Sequence, residues 1–158
     1  MSMTADREIV ISRVIDAPRE LVFEAFTDVR HLSQWWGPDG FTTTTQVFDF
    51  RVGGEWVFAM HGPDGTDYPE WISWTEIVPP ERMALWHGER RGDPNAFRSV
   101  LTFTPDGEAT RIEMRTLFPT KALRDEAVEK YHAIEGGQQT LGKLAAYVAE
   151  IVRTGAVG

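Results

Sequence analysis

Two adjacent indoles, Trp35 and Trp36, followed at once by Gly37 and Pro38, constrain this chain more than any other feature. Neighbouring side chains diverge on a helix and on a strand alike, so two such rings cannot share one face. They stand where an amphipathic helical stretch from Pro18 to Ser33 gives way to a long series of strands. Each ring therefore has to pack on a different surface. At least one is expected to line a pocket between the helical start and the sheet, with solid core filling as the alternative. The glycine and proline stop the helix and turn the chain.

The pattern before and after this junction defines the elements. Residues 8–15 are β-branched and partly alternating, as a strand requires. Asp16-Ala17-Pro18 reads as a helix start, and Asp28 as the cap of a second short helix. From Phe41 to Phe118 the apolar period becomes two. Phe48 and Phe50 share a face, as do Trp56, Phe58 and Met60, and then Phe97, Ser99, Leu101 and Phe103. Gly53-Gly54, Gly62-Pro63-Asp64-Gly65 and Pro105-Asp106-Gly107 mark turns, and Pro79-Pro80 ends a strand over 68–78. Thr120 caps a helical pattern that runs from Lys121 to about Val152. Gly136-Gly137 lies inside it, which predicts either a kink or the close approach of another group. The order is one strand, two short helices, about six strands and one long helix. It gives an α+β fold, a curved antiparallel sheet of six or seven strands around the C-terminal helix. One domain over 1–158 is expected, with an ordered core over about 8–152.

A chain of this length buries about 70% of its unfolded surface, enough for a core without covalent staples. Cysteine is absent, which excludes disulfides, thiolate metal sites and cysteine nucleophiles. The four histidines, His31, His61, His87 and His132, form no close pair, so neither a metal nor another cofactor is expected. The net charge of -8 argues against a nucleic-acid surface. No apolar run is long enough for a membrane span, and the N-terminus lacks signal-peptide features, so a cytoplasmic protein is expected. Monomer and homodimer are both open, an exposed sheet edge being the route to a dimer.

These motifs carry a resemblance. Ala17-Pro18 with Val22-Phe23, then Trp35-Trp36-Gly37-Pro38, Gly53-Gly54-Glu55-Trp56 and Gly62-Pro63-Asp64-Gly65, resemble the family named after the activator of the ninety-kilodalton heat-shock protein ATPase. Ile77 to Met83 and Gly136 to Leu144 look like two further signatures of it. The resemblance implies a START-like, helix-grip fold. It also implies the range of roles known in that superfamily: lipid carriers, hormone receptors, polyketide cyclases and chaperone activators. Many members carry a tryptophan where this chain has Gly137, which implies extra room near the helix midpoint.

Aromatic density at inward positions favours a non-catalytic domain enclosing a small lipophilic molecule. The candidate ligand-binding residues are Trp35, Trp36, Phe48, Trp56, Phe58, Trp74, Phe97, Ser99, Met114, Tyr131 and Gln138; Phe41 and Trp86 belong to the same aromatic set. Ser99 and Thr116 each share a face with apolar residues, and their hydroxyls need partners if buried, backbone being the ordinary one. His132 and Glu76 are the acid–base candidates for an enzymatic alternative of cyclase or hydrolase type. His87 reads as a satisfied strand-end residue. A chaperone-partner role is the remaining alternative, with Arg111, Glu113 and Arg115 forming a solvated charged ladder.

Overall fold

The computed structural model describes residues 5–154. A short 3-10 turn precedes strand β1 (Glu8–Ile15), and helices α1 (Arg19–Glu24) and α2 (Val29–Trp35) follow it. Six further strands come next: β2 (Thr42–Phe48), β3 (Glu55–His61), β4 (Asp67–Val78), β5 (Arg82–Gly88), β6 (Phe97–Asp106) and β7 (Ala109–Leu117). Helices α3 (Lys121–Glu129) and α4 (Ala133–Thr154) close the chain. The strands form one antiparallel sheet in the order β1-β7-β6-β5-β4-β3-β2, so β1 and β2 are its edges. The α1–α2 segment carries the chain from one edge to the other, and α4 packs against β1. The α+β architecture read from the sequence is the one observed.

The predicted caps are in place. Asp28 accepts a hydrogen bond from the Arg30 amide at 2.8 Å, and Thr120 accepts one from the Leu123 amide at 3.1 Å. Each satisfies a donor that the first helical turn leaves without an intrahelical partner. Side chains join α2 to α4: His31 Nδ1 and the Tyr147 hydroxyl lie 2.5 Å apart. Burial raises the Tyr147 pKa and lowers that of Lys143, whose Nζ donates to the Pro38 carbonyl at 3.3 Å.

The C-terminal helix departs from expectation. One continuous helix from Lys121 was expected, interrupted at the glycine pair. The break instead falls at 130–132, where His132 adopts a left-handed φ of 53°, and α4 runs unbroken through Gly136 and Gly137. The physical reason is local. Lys130, Tyr131 and His132 are all exposed, Tyr131 to 57%, so little packing opposes a break there. The glycines answer to close approach. A Cβ on Gly137 would lie 2.4 Å from Ile11 Cδ1, and one on Gly136 would lie 3.3 Å from Pro38 Cγ. The two glycines leave the places that the Ile11 methyl and the Pro38 ring now take beside α4. Part of the room expected at Gly137 is therefore taken by the Ile11 side chain.

Glu76 is a second correction. Simple alternation puts it on the inward face with Ile72 and Trp74. A bulge between Trp74 and Glu76 reverses that alternation. Ile77 packs on the core, while Glu76 turns out and pairs with Arg82.

At the β2–β3 turn, Gly54 is fixed by its neighbours. A Cβ there would sit 2.0 Å from the Asp49 carbonyl oxygen, a backbone atom that cannot yield. Gly54→Ala is expected to cost about 3 kcal/mol through overpacking and backbone shift, read as a lower urea midpoint at unchanged m-value.

Candidate functional site

Trp35 and Trp36 take different surfaces. Trp35, the last residue of α2, is fully buried; its indole N–H donates to the Ala25 carbonyl at 3.2 Å, and its ring meets Phe26 edge-on at 4.8 Å. Trp36 is partly exposed and points toward the sheet, its ring 5.2 Å from that of Trp56. Helix α2 ends there because Trp36 is extended (φ −65°, ψ 135°). Gly37 follows with φ 100°, a value that only glycine adopts readily.

Beside Trp36 lies a cleft of about 620 Å³, bounded by the inner face of the sheet, α3 and the first turns of α4. Of the residues predicted for a binding role, Trp36, Trp56, Trp74, Phe97, Ser99, Met114 and Tyr131 line it, and so do Phe41 and Thr116. Four predicted residues do not. Trp35 is core. Phe48 packs edge-on against Trp56 and Trp74 (6.0 and 5.7 Å), behind the cleft wall. Phe58 stacks on Trp56 at 3.7 Å and supports that ring from behind. Gln138 is exposed on the outer side of α4. Trp86 stands on the outer face of the sheet, 39% exposed, with the Arg98 guanidinium 5.8 Å from its ring centre. The acid–base candidates lie away from the cleft: His132 is exposed at the α3–α4 corner, and Glu76 faces outward.

Much of the polar content of the cleft comes from residues that the sequence does not mark as binding candidates. His87 and Glu70 both line it, with His87 Nε2 3.2 Å from Glu70 Oε2 and their side chains 15% and 20% exposed. The His87 ring sits 4.7 Å from Phe97 and 6.3 Å from Trp36. A signal was available: Glu70 shares its alternation with Ile72 and Trp74, and His87 with Met83 and Leu85. Deeper in, the Ser99 and Thr116 hydroxyls bond each other at 3.1 Å, 4% and 9% exposed. The partner is thus another side chain rather than the backbone. The loop between β5 and β6 supplies the rim, through Arg90, Asp93 and Asn95 among others. Asp93 orders that loop by accepting from the Glu89 and Asn95 amides at 2.9 and 2.8 Å, bonds that hold its carboxyl below the usual range.

The sequence profile described as "Activator of Hsp90 ATPase homolog 1-like protein" matches residues 16–149. The chain belongs to this family. Solved structures with the same fold include a protein of Chromobacterium violaceum, 27% identical, with 90% of this chain and 96% of that one covered and a TM-score of 0.78. A protein of Nitrosomonas europaea is 21% identical over 95% and 99% of the two chains, TM-score 0.81. One of Arthrobacter aurescens is 22% identical over 95% and 90%, TM-score 0.83. No curated protein matches. Among the described residues, no helix is long and apolar enough to cross a membrane.

Because Asp28 caps the helix that delivers Trp36, the site has an acid-sensitive support. Its hydrogen bonds with Arg30, first the side chain and then the amide, lower its pKa from 3.8 to about 2. A carboxyl lowered in the folded state stabilises above its unfolded pKa and loses that contribution as pH falls through the folded value. Asp28→Ala is expected to cost about 1 kcal/mol at neutral pH. The gap between variant and wild type should close as pH falls from 4 toward 2, in chemical denaturation at each pH.

Proposed function

We propose that this member of the family is a non-catalytic container for one small lipophilic molecule, held between the sheet and helices α3 and α4, and that it works in the cytoplasm. The observation that carries the reading is the cleft of about 620 Å³ with Trp36, Trp56, Trp74 and Phe97 in its wall. Binding sites for small molecules have this scale and this makeup, apolar with a few placed polar groups. The positions of His132 and Glu76, away from the cleft, favour containment over the acid–base chemistry considered for them. Native mass spectrometry of the purified protein, with a thermal-shift screen of neutral apolar compounds, tests the reading. A bound or stabilising compound is expected, and consistent absence of one would overturn it. Met114→Trp, which fills the cleft from β7, should weaken any such compound about tenfold, equivalent to about 1.4 kcal/mol, in isothermal titration.

The family's description favours a second reading, assistance to a heat-shock ATPase through the outer face. The ladder there is already engaged internally, Arg115 reaching Glu8 at 2.7 Å and Glu113 at 3.4 Å. On this reading, equimolar protein should raise ATP turnover by a bacterial chaperone of that class; unchanged turnover would remove it.

A further inference from the structure

The Ser99–Thr116 pair has one more proton than the protein uses. Ser99 and Thr116 are the two middle members of a row that crosses the sheet as Leu85, Ser99, Thr116 and Ile9. The flanking members of that row are apolar, and so are Leu101 and Met114, the next inward residues along β6 and β7. Each hydroxyl has one proton to donate. The bond between them consumes one of the two, whichever oxygen donates. Among the described residues neither hydroxyl has another hydrogen-bond partner. Both side chains are more than nine-tenths buried, and both line the cleft. The second proton thus has no acceptor among the described residues, and the oxygen that carries it belongs to the cleft lining.

The charges on the cleft wall narrow the choice of acceptor. Glu70, Glu89, Asp93 and Glu126 are the carboxylates on the lining, against one guanidinium, Arg90, which stands exposed at the rim, and His87, already paired with Glu70. A carboxylate buried beside Ser99 would have no cation there, and an unpaired buried charge is strongly disfavoured. A neutral carbonyl oxygen meets the free proton without that cost.

We infer that the molecule held in this cleft carries an uncharged hydrogen-bond acceptor, a ketone, ester or lactone carbonyl, seated against the Ser99–Thr116 hydroxyl pair. This rests on the containment reading above and specifies its ligand class.

The test uses three probes of one shape: benzophenone, diphenylmethane, in which a methylene replaces the carbonyl, and 4-benzoylbenzoate, which adds a negative charge. Affinities are read by quenching of the cleft tryptophans. Wild-type protein should bind benzophenone at least about fivefold tighter than diphenylmethane, as one neutral hydrogen bond allows, and 4-benzoylbenzoate more weakly than benzophenone. In the double variant Ser99→Ala, Thr116→Val, which removes both partners while keeping shape, the carbonyl preference should vanish. Equal binding of benzophenone and diphenylmethane by wild type would overturn the carbonyl assignment and leave containment standing. So would a preference that persists in the double variant, or tighter binding of the carboxylate. Failure of all three probes to bind wild type would overturn both. The wild-type comparison needs no variant to fold.

Discussion

Two neighbouring indoles, in edge contact with each other at 5.6 Å yet packed on different partners beyond, tie the helical segment to the sheet, and the rest of this structure is arranged around that tie. Trp35 locks α2 into the core through Phe26 and the Ala25 carbonyl, and Trp36 then meets Trp56 on the sheet. An aromatic side chain buries about 150–250 Å². At about 25 cal/mol per Å², a fully buried ring contributes roughly 4–6 kcal/mol before the entropy of ordering it. The cleft lies beside this junction, with Trp36 and Trp56 both in its wall.

A second constraint acts from the other side. Helix α4 approaches β1 so closely at Gly137 that Ile11 occupies the place of a side chain. The molecule is thus tight at the α4–β1 seam and open toward β4–β6. Layers that converge at one edge and are held apart at the other leave a wedge, and the aromatic rings line that wedge without filling it. The polar groups within it come in pairs, His87 with Glu70 and Ser99 with Thr116, which limits the cost of burying them.

Much of this was legible in the residues. Period two from Phe41 to Phe118 separated Trp56, Met60, Trp74 and Leu101 from their outward neighbours, and the caps Asp28 and Thr120 marked two helix starts. What alternation cannot reveal is a bulge, and one bulge moved Glu76 from the inner face to the outer. Periodicity also cannot say which layer of an aromatic cluster touches space: Phe48, Trp56 and Phe58 pack together, yet Trp56 alone of the three reaches the cleft. The break at His132 was hidden because Tyr131 and Ile134 continue the helical spacing of apolar residues while lying exposed. Glu70 and His87 were readable by the alternation that located Trp74 and Leu85. The sequence reads His87 as a satisfied strand-end residue, and its partner proves to be Glu70; Glu70 itself goes unread because charged residues are ordinarily assigned to solvent.

The break between α3 and α4 has a consequence for how such a scaffold diversifies. Helix α3 has its own cap at Thr120 and is set off from α4 by the left-handed turn at His132. Through Leu123, Ala127 and Glu126 it borders the opening, while α4 alone bears the seam with β1. Substitutions on α3 can therefore change the width of the opening with the α4–β1 seam untouched. A solved structure that shares about a fifth of these residues keeps the same frame, so the frame tolerates wide change in the residues it carries.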